Sequence, residues 1–116
     1  VIRGLDHLVP TVTVVERTTA FNQRVLGMRP VTCGEGRRAL DFGSSKINLH
    51  LTGRELLPHA ARPTPGGAGL CLVTQTPQEQ VLAHLVACGV PVEEGPVPRT
   101  GALGPILSTY PIRLRR

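Results

Sequence analysis

The sequence predicts an α+β fold of two βαβββ repeats, the second lacking its last strand, and three observations predict it. Apolar residues alternate at period 2 in some stretches and recur at helical spacing in others, in the order strand, helix, strands. A connector over residues 52–67, rich in proline and glycine, separates two such series. Laid on each other at an offset of 62 residues, the distance from Gly27 to Gly89, the halves also match Leu26 with Cys88, Met28 with Val90 and Leu8 with Leu70. At 116 residues the chain is the size of one domain. We divide it into repeat one (4–51), the connector (52–67), a truncated repeat two (68–110) and a basic tail (111–116).

The first strand is read from Leu5, His7 and Val9 alternating with Asp6, Leu8 and Pro10. Thr11 or Thr13 is positioned to cap a helix running to Leu26, with Val14, Phe21 and Val25 on one face and Gly27 as its stop. Strands follow at Met28 to Thr32, Arg38 to Phe42 and Lys46 to Leu51, separated by Gly34-Glu35-Gly36 and Gly43-Ser44-Ser45. After the connector, Leu70 to Val73 is an apolar strand. Thr76-Pro77-Gln78-Glu79 then combines a capping box with proline at the first helical position. That helix turns Val81, Leu82, Leu85 and Val86 inward and stops at Gly89. Val90 to Glu94 and Ile106 to Tyr110 read as strands, with a Pro/Gly-rich loop from Gly95 to Pro105 between them.

Composition narrows the function classes. With no Trp, one Tyr and two Phe, the core must be aliphatic. A net charge of +5 raises the question of nucleic acid. The distribution argues against it, because Arg113, Arg115 and Arg116 crowd the end while Arg37, Arg38, Arg54, Arg62 and Arg99 are scattered, with no aromatic interleaved for base stacking. Cys33, Cys71 and Cys88 form no CxxC pair; Cys71 and Cys88 read as small buried hydrophobes, and a reducing, cytoplasmic setting is expected. No apolar run has the length of a membrane span and no signal peptide is evident, although the chain begins with Val rather than Met.

Several motifs together carry a family resemblance. They are Gly4-Leu5-Asp6-His7-Leu8-Val9, Phe21, Val25-Leu26-Gly27-Met28, Arg38-Ala39-Leu40-Asp41-Phe42-Gly43, Lys46-Ile47-Asn48-Leu49-His50, Pro63-Thr64-Pro65-Gly66 and Glu93-Glu94-Gly95-Pro96-Val97-Pro98-Arg99-Thr100-Gly101-Ala102. From Gly4 to Ser108 the chain resembles the vicinal oxygen chelate (VOC) superfamily, and within it the glyoxalase domain-containing proteins. The resemblance implies sheets curled around a cleft, halves that face each other, often in a homodimer, and a central divalent metal: zinc, nickel, iron or manganese. In the superfamily's enzymes that ion binds two neighbouring oxygens of a small molecule, for glyoxalase I-like lyase or isomerase chemistry or extradiol dioxygenase chemistry. Relatives isomerise, oxygenate, epimerise or only bind, so the fold leaves the activity open.

The resemblance also nominates residues. His7 occupies the first-strand ligand position; the other reading is a core histidine with one nitrogen satisfied. Gly69 falls on His7 at the repeat offset, where many relatives carry a second His, and has no donor. Asn48 stands where glyoxalase I has a ligating Glu and offers only a neutral oxygen. His50, on the same strand face, is a ligand, a general base or a hydrogen-bonded strand-end His. Arg99 is either a contact for an anionic substrate or a solvated loop residue. The remaining ligand would be a Glu on a strand after Tyr110, but no carboxylate follows Glu94, as in a truncated isoform with an alternative ending. Two functional readings therefore compete: a metal-dependent enzyme, and a catalytically inactive domain that binds a small ligand. A third is a truncated product that relies on a dimer partner for its missing strand or folds poorly. His59 and His84 read as solvated, and Glu93 and Glu94 as pointing to opposite strand faces.

Overall fold

Alternating apolar and polar residues from Arg37 to Leu51 build the centre of a sheet, and the rest of the first half is arranged on it. The structure, a computed structural model, describes residues 1–94 and the backbone of the strand pairs at 100–101, 104–105 and 113–114. Two compact units, Val1–Cys71 and Leu72–Arg116, are described separately.

In the first unit the strands are β1 (His7–Leu8), β2 (Thr11–Val12), β3 (Arg29–Cys33), β4 (Arg37–Phe42) and β5 (Ser45–Leu51), with helix α1 (Val15–Leu26) after β2. The sheet order is β1-β5-β4-β3, and β2 also pairs with β5. The β3, β4 and β5 strands form an antiparallel meander, whereas β1 and β2 run parallel to β5 along its other edge. The single first strand expected over Leu5–Val9 is thus two short ones. Pro10 interrupts it because proline has no N–H to give the ladder, although its carbonyl accepts the His50 N–H at 3.1 Å.

Met28, Leu40, Ile47 and Leu49 form the buried cluster, with Val12, Val15, Leu26, Phe42 and Leu70 packed against it. Leu40 is 1% exposed. Helix α1 covers this side and buries Thr19, Asn22 and Val25. Neither threonine caps it: the N-cap is Val14, which is extended and 44% exposed rather than inward, and Thr11 is a buried strand residue. Gly27 ends the helix at φ 68°, its N–H donating to the Gln23 carbonyl at 3.2 Å while the Met28 N–H donates to that of Asn22 at 3.1 Å. That left-handed step suits glycine and delivers Met28, 3% exposed, into the core.

In the second unit α2 (Gln78–Ala87) is followed by β6 (Val92–Glu94), β7 (Thr100–Gly101), β8 (Gly104–Pro105) and β9 (Arg113–Leu114). The expected capping box does not form. Pro77 is the N-cap with no side-chain cap bond, and the Thr76 N–H is held by Thr74 Oγ1 at 3.1 Å. Leu85 is 2% exposed, but Val86 is 80% exposed, because one helical step of about 100° carries it off the buried face. Gly89, at φ 69°, closes this helix as Gly27 closes α1, and Val90 behind it is 7% exposed. Strand β6 pairs antiparallel with β9, inside the expected basic tail, and β7 with β8, inside the expected loop. The apolar run Leu70–Val73 is not a strand: it has no ladder partner among the described residues, Cys71 is exposed and Val73 is 95% exposed. A four-residue run has no strand geometry to hold without a partner. The strand expected at Ile106–Tyr110 lies outside the described residues. No helix among the described residues is long and apolar enough to cross a membrane.

Two stability tests follow from the packing. Leu40→Ala should cost ~2–5 kcal/mol of unfolding free energy in a urea titration. The Thr19 hydroxyl is buried with no hydrogen-bond partner among the described residues, so Thr19→Val should raise stability by about 1 kcal/mol in the same measurement.

Candidate functional site

Strand register sorts the first unit's side chains onto two faces. Pro30, Leu40, Ile47 and Leu8 align across β3, β4, β5 and β1, and the core residues among them mark this as the α1 side. Arg38, on that side, reaches Glu16 of α1 at 3.9 Å. The intervening positions face away from α1. Arg29, Asp41, Lys46 and His7 are successive register partners there; the next row is Val31, Ala39 and Asn48. A third row holds the partners Cys33 and Arg37, and His50 beside Thr11.

Arg29, Asp41 and Lys46 alternate in sign along the first row, and His7 ends it. Arg29 Nη2 donates to Asp41 Oδ2 at 3.0 Å. At the other end His7 Nδ1 lies 2.7 Å from Asp6 Oδ2. An ionised carboxylate only accepts, so Nδ1 carries the hydrogen and a neutral ring keeps its lone pair on Nε2. The hydrogen bond from His7, then its charge and that of Lys46, holds the Asp6 carboxyl below the usual aspartate range. Asp6, Arg29, Asp41, Gly43, Ser44, Ser45 and Lys46 line a shallow depression of about 330 Å³ at this end of the sheet. Near the opposite end, backbone N–H groups of Glu55 and Gly53, helped by His59 and His50, hold the Glu55 carboxyl below its ordinary value.

The structure places His7, Asn48 and His50 on one face but spreads them along it. His7 is two register positions from Asn48 and four from His50, about 7 Å and about 13 Å along the strands. At Gly69 a Cβ would meet nothing within 4 Å, so space exists there without a donor. No three His, Cys, Asp or Glu residues come together to hold an ion among the described residues. On this sheet face the described residues offer a divalent metal one imidazole oriented by a carboxylate, His7, and that is not a ligand set. Arg99 lies outside the described residues.

Asp6, Arg29, Asp41, Lys46 and the two serines were not singled out from the sequence. The β3–β4 turn at Gly34–Gly36 implied the Arg29–Asp41 pairing, since it fixes the hairpin register. The parallel alignment of His7 with Lys46 had no local signal, because 38 residues intervene.

Comparison with known proteins agrees with this topology. The family model described as Glyoxalase/Bleomycin resistance protein/Dioxygenase superfamily matches residues 4–105. Virulence protein STM3117 of Salmonella typhimurium is 47% identical over 110 residues, 95% of this chain and 76% of that protein. Its crystal structure matches at a TM-score of 0.90, covering 94% of this chain and 86% of that one. Glyoxalase domain-containing protein RDO1 of Mycosarcoma maydis is 50% identical over 109 residues, 94% of this chain; the chain spans 61% of that protein. The fosfomycin resistance protein FosX of Listeria monocytogenes, solved with Mn(II) and sulfate, shares the fold at 18% identity and a TM-score of 0.57, over 86% of this chain and 74% of that one.

The Asp6–His7 contact has a pH signature. A lowered carboxylate pKa contributes stability that is complete above the ordinary aspartate range and is lost as pH falls through the lowered value. In an NMR titration the Asp6 carboxyl carbon should therefore titrate at lower pH than in His7→Ala, where its midpoint should move up.

Proposed function

This chain belongs to the glyoxalase/bleomycin resistance protein/dioxygenase superfamily, and from that premise we propose that the sheet face of its first unit binds a small molecule with neighbouring oxygens, a 2-hydroxy or 2-keto acid, without an assembled metal centre. The observation that carries this reading is the row Arg29, Asp41, Lys46 and His7 beside the depression. Lys46 and Arg29 supply cationic donors for a carboxylate, and Asp41 and Asp6 accept from a hydroxyl on the adjacent carbon. Ser44 and Ser45 act as either donor or acceptor, so the depression suits a ligand that carries both an anionic and a hydroxyl oxygen. Its two cations and two carboxylates balance, which argues against steering by net charge and for recognition by hydrogen-bond pattern.

The second reading is metal-dependent chemistry of the lyase, isomerase or dioxygenase kind. The observation that favours it is the orientation of His7 by Asp6, the arrangement that prepares an imidazole as a ligand.

NMR titration with a panel of small 2-hydroxy and 2-keto acids separates the two. The binding reading expects shifts confined to residues 6, 29 and 41–46 without added metal, and an affinity about tenfold weaker in Lys46→Ala, the loss of one charge-assisted hydrogen bond. Binding only after Mn²⁺ is added, and abolished by His7→Ala, would establish the metal reading instead. No shifts under either condition would remove this face as a ligand site.

A further inference from the structure

The connector after β5 carries an exposed apolar stretch that the sheet-face reading does not use. Its base is pinned to the first unit: Thr52 donates to the Val12 carbonyl through its N–H at 2.9 Å and through Oγ1 at 3.0 Å. At its far end the Gly67 N–H donates to the Thr64 carbonyl at 3.0 Å, closing a turn. Between those ties residues 56–62 are exposed without interruption. Leu56, Leu57, Pro58, Ala60 and Ala61 in that run are apolar, and Leu57 is 79% exposed. A lone exposed leucine is ordinary, whereas an unbroken apolar run marks a surface that something covers. The charges around it are cationic. Arg54 and Arg62 are exposed on either side of the leucines, and no carboxylate lies within the run. The nearest in sequence, Glu55, is half-buried and turned back into the loop, its Oε1 accepting the Gly53 N–H at 3.0 Å.

We propose that residues 56–62 seat on an anionic lipid surface, with Leu56 and Leu57 entering at headgroup depth and Arg54 and Arg62 meeting the negative headgroups. Apolar side chains leave water there while cations approach anionic lipid, and the two contributions add in interfacial binding. Charge complementarity selects this occupant over a second copy of the chain. Two copies would bring Arg54 and Arg62 against like charge, on bodies that each carry a net charge of +5. The backbone of the stretch is neither helix nor strand, so its N–H and C=O groups stay in the hydrated headgroup layer and only side chains go deeper. With two leucines and two arginines the attachment is weak and reversible, and it strengthens as ionic strength falls. It needs no spanning segment. It is also separate from the sheet face, and its test does not depend on what that face binds.

The test is sedimentation of the full chain with vesicles of phosphatidylcholine, alone or with about 30% phosphatidylserine to give an anionic surface. Binding is expected to the anionic vesicles only, and it should fall as salt is raised from about 0.01 M to about 1 M. Leu57→Ser leaves the net charge unchanged and should weaken binding about tenfold, through loss of one buried apolar side chain. Arg54→Ala combined with Arg62→Ala should weaken it at least about tenfold. The chain has no Trp, so Leu57→Trp adds a single reporter whose emission should shift to the blue with the anionic vesicles. Circular dichroism should show each variant folded, since the substituted side chains are exposed and outside the core cluster. Undiminished binding by Leu57→Ser would assign the attachment to charge elsewhere on the chain and overturn the proposal. Equal binding to neutral vesicles, or no binding at all, would overturn it too. So would self-association without vesicles that Leu57→Ser abolishes, because the run would then be a contact between copies.

Discussion

The first unit depends on β5 being hydrogen-bonded along both edges, antiparallel to β4 on one side and parallel to β1 and β2 on the other. Ile47 and Leu49 alternate with Lys46, Asn48 and His50, so the strand's period of two assigns its apolar residues to α1 and its polar ones to the opposite face. A slip of one residue would drive Lys46, Asn48 and His50 into the core and expel Ile47 and Leu49. The same burial that stabilises the sheet therefore fixes the register of the candidate site. Leu40 and Ala39 on β4, 1% and 2% exposed, pin the two sides of that arrangement at adjacent positions.

The charged row follows from this register, and its energetics favour recognition over stability. Arg29 is exposed and its bond to Asp41 is a surface ion pair, of a kind that contributes about 0–1 kcal/mol. The groups are partly solvated, so a ligand oxygen can replace water around them without breaking the core. Membership in the superfamily establishes the scaffold and leaves the chemistry to these residues. His7 has the orientation of a ligand but lacks, among the described residues, the company that a metal centre needs.

The second unit uses the same helix-stopping device. Gly27 and Gly89, at φ 68° and 69°, each turn the chain out of a helix and place a buried apolar residue immediately after it. In α2 the C-cap Cys88 keeps a right-handed helical conformation before Gly89 breaks the helix.

By itself the sequence determined the element order of the first unit, both helices with their glycine stops, and the position of β3, β4 and β5 to within a residue or so, because these rest on local periodicity and on turn chemistry spanning a few residues. It also determined that Asn48 and His50 share a strand face, by alternation along β5. Tertiary structure alone decided the exposure of residues 71–73, the burial of Thr11 and the parallel alignment that sets His7 beside Lys46. Those features depend on which strand lies next to which, and parallel pairing across a helical crossover joins residues whose separation in sequence carries no local trace.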